Sequence, residues 1–366
     1  MENLLLSYQC IYEKPILWDY YDKYKKDEFD LFPVGFIEQY FKDGGEKSVV
    51  DEVTMLSEFR RQHTISTFFI GILLKELLHF DTLNELKPDF RYLWFLTCLF
   101  HDYGYIIESN TEKYPIESTK LETLCEKLKI SNKNFLLSKW KPKFIPLIYE
   151  RDTVLCYFEY CRQKKSEPFI NHGYVSSILL YDRLIKNFEQ KRKRFKKSEK
   201  INGTPKYFVY KNLEWSVSDK VFYREAAEAV LAHNIWHCTE KEDEEKYKEF
   251  NLDNLIDIGD IKKKRISHIN FPLLFLLHLA DNLDPVKAFP NFNIKCLLEK
   301  IAFKKIENGF KIEILDCCLD PNNWFGNICK MQDWLKISVR KADGCKDTLH
   351  LTLDTENNEG KNNIDC

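Results

Sequence analysis

"FLTCLFHDYGY", Phe95–Tyr105, is an apolar run that ends in a histidine, an aspartate and, two residues on, a glycine. Arg91 to Asp102 predicts one almost wholly apolar helix, and Gly104 predicts the left-handed residue that commonly follows a helix C-terminus. The apolar body reads as core, so His101 and Asp102 are carried inward at its end. A buried imidazole or carboxylate costs free energy unless something satisfies it. The doublet therefore asks for a partner.

Working outward, the same pattern recurs on four further predicted helices. From about Val53 to Phe80 the series Leu56, Phe59, His63, Ser66, Ile70, Leu73, Leu77 shares one face, which turns His63 inward. After the break "SEPFIN", a helix runs from His172 to about Asn187. "YREAAEAVLAHNIWH" sets Ala226, Ala229, Val230, His233 and His237 on one side, and "FPLLFLLHLADNLDP" is a helix opened near Pro272, closed before Pro285 and carrying Asp281. His63, His101, Asp102, His172, His233 and Asp281 are thus six polar residues on or at the ends of apolar faces. A shared divalent cation is the economical partner. Imidazole and carboxylate ligands suit Zn, Fe, Mn, Ni, Co or Mg, and four His with two Asp do not select among them.

The order H, HD, H, H, D on successive helices resembles the HD-domain superfamily of metal-dependent phosphohydrolases, over roughly His63 to Lys287. The resemblance implies a mainly α fold, an HD-domain helical bundle. It assigns His63, His101, Asp102 and Asp281 to a first metal, with Asp102 reaching toward a second held by His172 and His233. It makes Asp102, His172 and His233 the catalytic residues. Two such metals activate a water and neutralise phosphoryl charge. The implied reaction is hydrolysis of a phosphate ester or anhydride of a nucleotide, first a (deoxy)nucleoside triphosphate, because "NHGYVSSILLYDRLI" is similar to the His-x-x-x-Ser helix of triphosphohydrolases in that superfamily. A cyclic (di)nucleotide phosphodiesterase or a single-strand nuclease with the same site is the alternative, since His172 and His233 favour two metals. A nucleotide-binding sensor without turnover is the non-enzymatic one.

The chain departs from the family pattern after the doublet. Many members place Lys or His after the glycine to meet substrate phosphate, and here Tyr105 stands there. The cation must come from elsewhere, and Arg61, Arg224 and Lys287 are the nearest in sequence to the expected ligands, so these and Tyr105 are the expected substrate contacts. Blander readings compete at each position. His172 could be a surface residue beside an N-cap, and His237 shares the face of His233. His233 is preferred because it follows the apolar "AVLA", whereas His237 enters a charged segment. His278 reads as a packed residue behind Asp281, and Asp284 as a helix-end residue before Pro285. Trp236 and Tyr174, next to expected ligands, could line a base pocket.

Two charged stretches interrupt the helices: "QKRKRFKKSEK" (190–200) and the acidic, poorly periodic residues 240–260. Both read as exposed connections. Lys191 to Lys197 could grip nucleic acid, though a solvated loop is the favoured reading. After about Asn293, "GFKIEILD", "WLKISVRK" and "KDTLHLTL" read as strands, with "ADG" as a turn and "TENNEGKNNIDC" as a frayed tail. The expected organisation is an N-terminal helical extension (1–52), the metal-binding domain (53–293) and a small α+β appendix (294–366) serving self-association or regulation.

Composition fits this reading. The chain has 366 residues, 44% of them hydrophobic and 14% aromatic, which is enough for a sizeable core. A net charge of −2 gives no global field toward nucleic acid or anionic lipid. No apolar run is long enough to span a membrane and the N-terminus lacks the pattern of a secretory signal, so a cytoplasmic protein is expected. The twelve cysteines are scattered, and the pairs Cys156/Cys161 and Cys317/Cys318 do not repeat at zinc-site spacing. Reduced thiols are the simplest expectation.

Overall fold

Apolar residues at helical spacing bury one face after another along this chain, and the architecture is mainly α with one small antiparallel sheet. The computed structural model describes residues 3–13, 56–80, 83, 90–116, 120–132, 151–164, 167–202, 219–238, 241–256, 265–342 and 346–354. In chain order, the helices are α1 (Leu4–Glu13), α2 (Glu58–Leu78), α3 (Phe90–His101), α4 (Tyr105–Glu108), α5 (Leu121–Lys127), α6 (Arg151–Gln163), α7 (His172–Asn202), α8 (Asp219–Ala232) and α9 (Lys241–Glu249). They are followed by α10 (Pro272–Asn282), α11 (Pro285–Ala288) and α12 (Ile294–Glu299), then β1 (Ile301–Ile306), β2 (Gly309–Ile314), α13 (Asn322–Lys330), β3 (Ile337–Lys341) and β4 (Thr348–Leu353). Among the described residues no helix is long and apolar enough to cross a membrane.

Two compact units divide the chain. One comprises Met1–Phe32, Gln62–Asn84 and Lys262–Cys366, the other Pro33–Arg61 and Glu85–Ile261. This grouping differs from the three consecutive segments expected from sequence: α1, most of α2 and α10 belong with the sheet. Beyond α1, the N-terminal extension to residue 52 lies outside the described residues, as do residues 53–55, the "ADG" turn at 343–345 and the tail from 355.

In the unit that holds the sheet, α1 buries Leu4, Tyr8 and Ile11 along one stripe, and Tyr8 stacks on Phe69 of α2 at 5.3 Å. Pro272 opens α10, whose residues from Leu273 to Ala280 are all buried and, His278 apart, apolar. The strands pair in the order β1-β2-β4-β3, all antiparallel. Phe310 and Ile312 face Leu351 and Leu349 across the central pair and are fully buried. The three expected strands are present, and β1, "IAFKKI", joins them as an edge that its weak alternation did not announce.

In the other unit, α3, α7 and α8 pack on one another. The contact of α7 with α8 is close because residue 173 is glycine: a Cβ there would stand 3.0 Å from the Asn234 Cβ and the His233 Cε1. Three expectations are corrected here. Helix α3 ends at His101, and Gly104 is right-handed (φ −60, ψ −14), not left-handed. A Cβ on Gly104 would lie 2.2 Å from the His172 carbonyl oxygen, so glycine is required by the close approach of α7 and not by backbone conformation. The basic stretch is no loop, because α7 continues through it to Asn202; Lys and Arg are good helix formers whatever their charge density. The side chains of residues 190–192 and 194–200 lie outside the described residues. The acidic stretch likewise contains α9, anchored by buried Tyr247, with Leu252 and Leu255 buried behind it. Residues 257–264 lie outside the described residues.

Candidate functional site

The polar doublet sits where α3 stops. His101 is the last helical residue and Asp102 opens the turn that leads to α4. The turn is seated on the first turn of α7: Gly104 N–H donates to Ser176 Oγ at 2.7 Å, which gives the serine of the "NHGYVSS" stretch a structural task. Asn171 caps α7 by accepting from Tyr174 N–H at 2.8 Å, so His172 is held as its first residue. His233 follows the end of α8.

These placements converge. Asp102, His172 and His233 are buried, and one ligand atom of each lies within 4.8 Å of the others. His101 adjoins them, its Nε2 3.5 Å from Asp102 Oδ1 and its ring centroid 5.5 Å from that of His233. The hydrogen bonds decide what the rings can do. His101 Nδ1 donates to the Cys98 carbonyl and His233 Nδ1 to the Val230 carbonyl, each at 2.5 Å, and His172 Nδ1 donates to Glu108 Oε2 at 2.9 Å. An acceptor at Nδ1 fixes the tautomer that leaves Nε2 as a lone pair, the arrangement metal-ligating histidines adopt. The His172 Nε2 also points at Asp102 Oδ1, 3.7 Å away. Lone pairs directed at a buried carboxylate repel unless a proton or a cation lies among them. Ligand bonds of about 2.0–2.2 Å to a common ion put donor atoms about 3–4 Å apart, so the group fits a divalent cation.

The second oxygen of Asp102 is occupied by a residue the sequence reading missed. Arg60 Nη1 lies 2.7 Å from Asp102 Oδ2, and its guanidinium carbon sits 3.5 Å from the centroid of the Tyr105 ring. Tyr105 in turn stacks on His172 at 3.8 Å. Burial alone would lower the guanidinium pKa, but Asp102 and the Tyr105 hydroxyl outweigh it and hold Arg60 above its ordinary value. Arg61, the neighbour named from sequence, is half-buried. One residue along a helix turns a side chain by about 100°, and sequence distance to a ligand does not resolve that angle.

The other expected cations have different surroundings. Arg224 is 1% exposed with its Nε 2.5 Å from Glu228 Oε1, so it neutralises a carboxylate inside the helix pack. Burial pushes both Glu225 and Glu228 up to about 7, Glu225 further by its neighbour's charge, while Arg224 pulls Glu228 back. Of the aromatic residues flagged from sequence, Tyr174 is core, packed on Phe158. Trp236 is half-buried, its Nε1 donating to Asn234 Oδ1 at 3.2 Å. His237 is not in the convergent group.

The unit that holds the sheet carries the remaining expected ligands. His63 lies on α2 between two carboxylates: Nε2 is 2.9 Å from Asp281 Oδ1 and Nδ1 is 2.6 Å from Asp284 Oδ2. Lys287 reaches both oxygens of Asp281 at 2.8 Å. Asp284 exceeds the helix-end role read from its sequence. It caps α11 through Val286 N–H and Lys287 N–H, accepts from Ser66 Oγ at 2.5 Å, and Ser66 meets the buried Tyr8 hydroxyl at 3.2 Å. Burial, then the Asp284 charge, push the Tyr8 phenol well above its usual range. His278 is buried, as read. Replacing Asp284 with Ala strands a buried hydroxyl, a histidine N–H and a helix start together. The expected loss is about 3 kcal/mol, measured as a lowered urea midpoint at constant slope. An unchanged midpoint would show that the network carries no stability.

Comparison of the chain with protein-family models, with curated proteins and with solved structures returns no match in any of the three.

Proposed function

We propose that this chain is a metal-dependent phosphohydrolase that hydrolyses a phosphate ester or anhydride of a nucleotide, a (deoxy)nucleoside triphosphate being the first substrate to try. The observation that carries the reading is the buried convergence of Asp102, His172 and His233, with ligand atoms within 4.8 Å of one another. It agrees with the ligand order seen in sequence and with the resemblance to HD-domain phosphohydrolases. A divalent cation bound there supplies Lewis-acid activation of water and neutralises charge on phosphoryl oxygens. The chain's own residues do the rest. Cys98, Val230 and Glu108 accept the Nδ1 protons of His101, His233 and His172 and so hold each Nε2 as a donor lone pair. Arg60 holds Asp102 in one orientation and keeps a fixed positive charge beside it, with its side chain 24% exposed. It is the cation that Tyr105 cannot be, and the Tyr105 ring is the shelf it lies on.

A phosphodiesterase acting on cyclic (di)nucleotides or single-stranded nucleic acid is the second reading. It is favoured by the membership of His172 and His233 in the group, the two histidines that the resemblance assigns to a second ion. A hydrolysis panel separates the readings: deoxynucleoside and nucleoside triphosphates, cyclic mono- and dinucleotides and single-stranded DNA, each with Mn, Mg, Co, Ni and Fe. Product release from the triphosphates in at least one metal is the expected result. Metal-loaded protein that binds these nucleotides and turns over none of them would leave a sensor and overturn the enzymatic proposal.

A further inference from the structure

Apart from the histidines, the described residues gather another set of soft ligands in the unit that holds the sheet. Asp316, Cys317 and Cys318 follow β2, and one ligand atom of each lies within 4.8 Å of the other two. The turn is held from within: Cys318 N–H donates to Asp316 Oδ1 at 2.8 Å. A lysine from a different element, Lys300 at the end of α12, pairs with Asp316 Oδ2. Cys317 and Cys318 are both exposed.

We propose that Cys317, Cys318 and Asp316 form a binding site for a thiophilic d10 cation, with Zn2+ as its test ion. Thiolates select such ions over Mg or Ca. Two sulfurs on one tetrahedral zinc stand about 3.8 Å apart, given bonds of about 2.3 Å. Solvent-exposed side chains cover the remaining distance by rotamer changes. Lys300 swings out on its flexible stem, 30% exposed, and stays near enough to offset the negative charge of two thiolates and a carboxylate around a dication. Binding releases the two thiol protons to solvent.

The test uses the full-length, reduced, metal-stripped protein. Zn2+ is titrated against a chromophoric chelator, and iodoacetamide labelling of each cysteine is followed by peptide mass spectrometry. Cys10, also exposed, is the internal reference. Labelling of Cys317 and Cys318 should slow together by about tenfold or more with zinc while Cys10 is unaffected, because only free thiolate alkylates. The Cys317→Ser and Cys318→Ser variants should each lose one zinc equivalent and restore labelling of the remaining thiol. Their side chains are exposed, so thermal melting should match the parent. Labelling of both at the Cys10 rate in saturating zinc would overturn the proposal, as would a zinc count unchanged in both variants. Loss of hydrolytic activity is no readout here, so this proposal and the phosphohydrolase reading fail separately.

Discussion

Asp102→Asn is expected to lower kcat/KM for the best substrate of the panel by about 10³-fold or more, equivalent to about 4 kcal/mol of transition-state stabilisation. The substitution keeps shape and volume and removes the charge. Three consequences follow from the geometry. The cation that the buried group would hold loses its only carboxylate among Asp102, His172 and His233. The amide oxygen can still accept from Arg60, but the other position becomes an N–H donor aimed at the His101 and His172 lone pairs, which takes up the donor atoms a cation would need. Arg60 also loses its ion pair, and its position over Tyr105 loosens. Metal content by mass spectrometry should fall in parallel with activity. The fold should survive, since the group sits at a helix end and Arg60 still reaches solvent: the urea midpoint is expected to stay within about 1 kcal/mol of the parent. A variant that retains both metal and rate would remove Asp102 from the chemistry and with it the reading of the doublet.

How much of this was legible beforehand depends on the range of the interaction concerned. The helices carrying His63, His101, His172, His233 and Asp281 could be read because each buries a local apolar face, and the polar exception on that face is visible within a few residues. The choice of His233 over His237 also followed from local pattern. What sequence could not give are partners fixed by tertiary approach. Asp284 lies 221 residues from the His63 ring it orients, and nothing in "LDPVK" distinguishes that role from an ordinary helix cap. Arg60 and Arg61 are equivalent in composition and differ only in the direction they leave α2. The basic stretch carried a charge pattern typical of loops while having intrinsic helix propensity, and propensity prevailed. The cluster at Cys317 and Cys318 escaped because a vicinal pair lacks metal-site spacing, and the sequence does not show that the Asp316 carboxylate folds back beside both thiols.

Gly104→Ala is the other large effect, and it tests the correction made to the turn after α3. The backbone at Gly104 has φ −60 and ψ −14, a region open to any L-residue. Conformation therefore costs alanine nothing. The methyl group is the difficulty: its carbon would stand 2.2 Å from the His172 carbonyl oxygen and 2.7 Å from the His172 Cα, both backbone atoms that no rotamer change can move. Relief requires the turn and the start of α7 to separate by more than about 1 Å, which breaks the Gly104 N–H bond to Ser176. The predicted cost is about 2–4 kcal/mol in unfolding free energy, read from the urea midpoint. Because the same displacement carries Asp102 away from His172, activity should fall by about 10²-fold beyond what unfolding explains. Asparagine separates the two accounts of this glycine. It tolerates the left-handed region better than alanine does, so a left-handed requirement would make Gly104→Asn the milder change. A steric requirement makes it at least as damaging as Gly104→Ala, since it adds atoms where one Cβ already has no room. The ranking of the two variants, with asparagine equal to or worse than alanine in stability and in metal content, is the expected result.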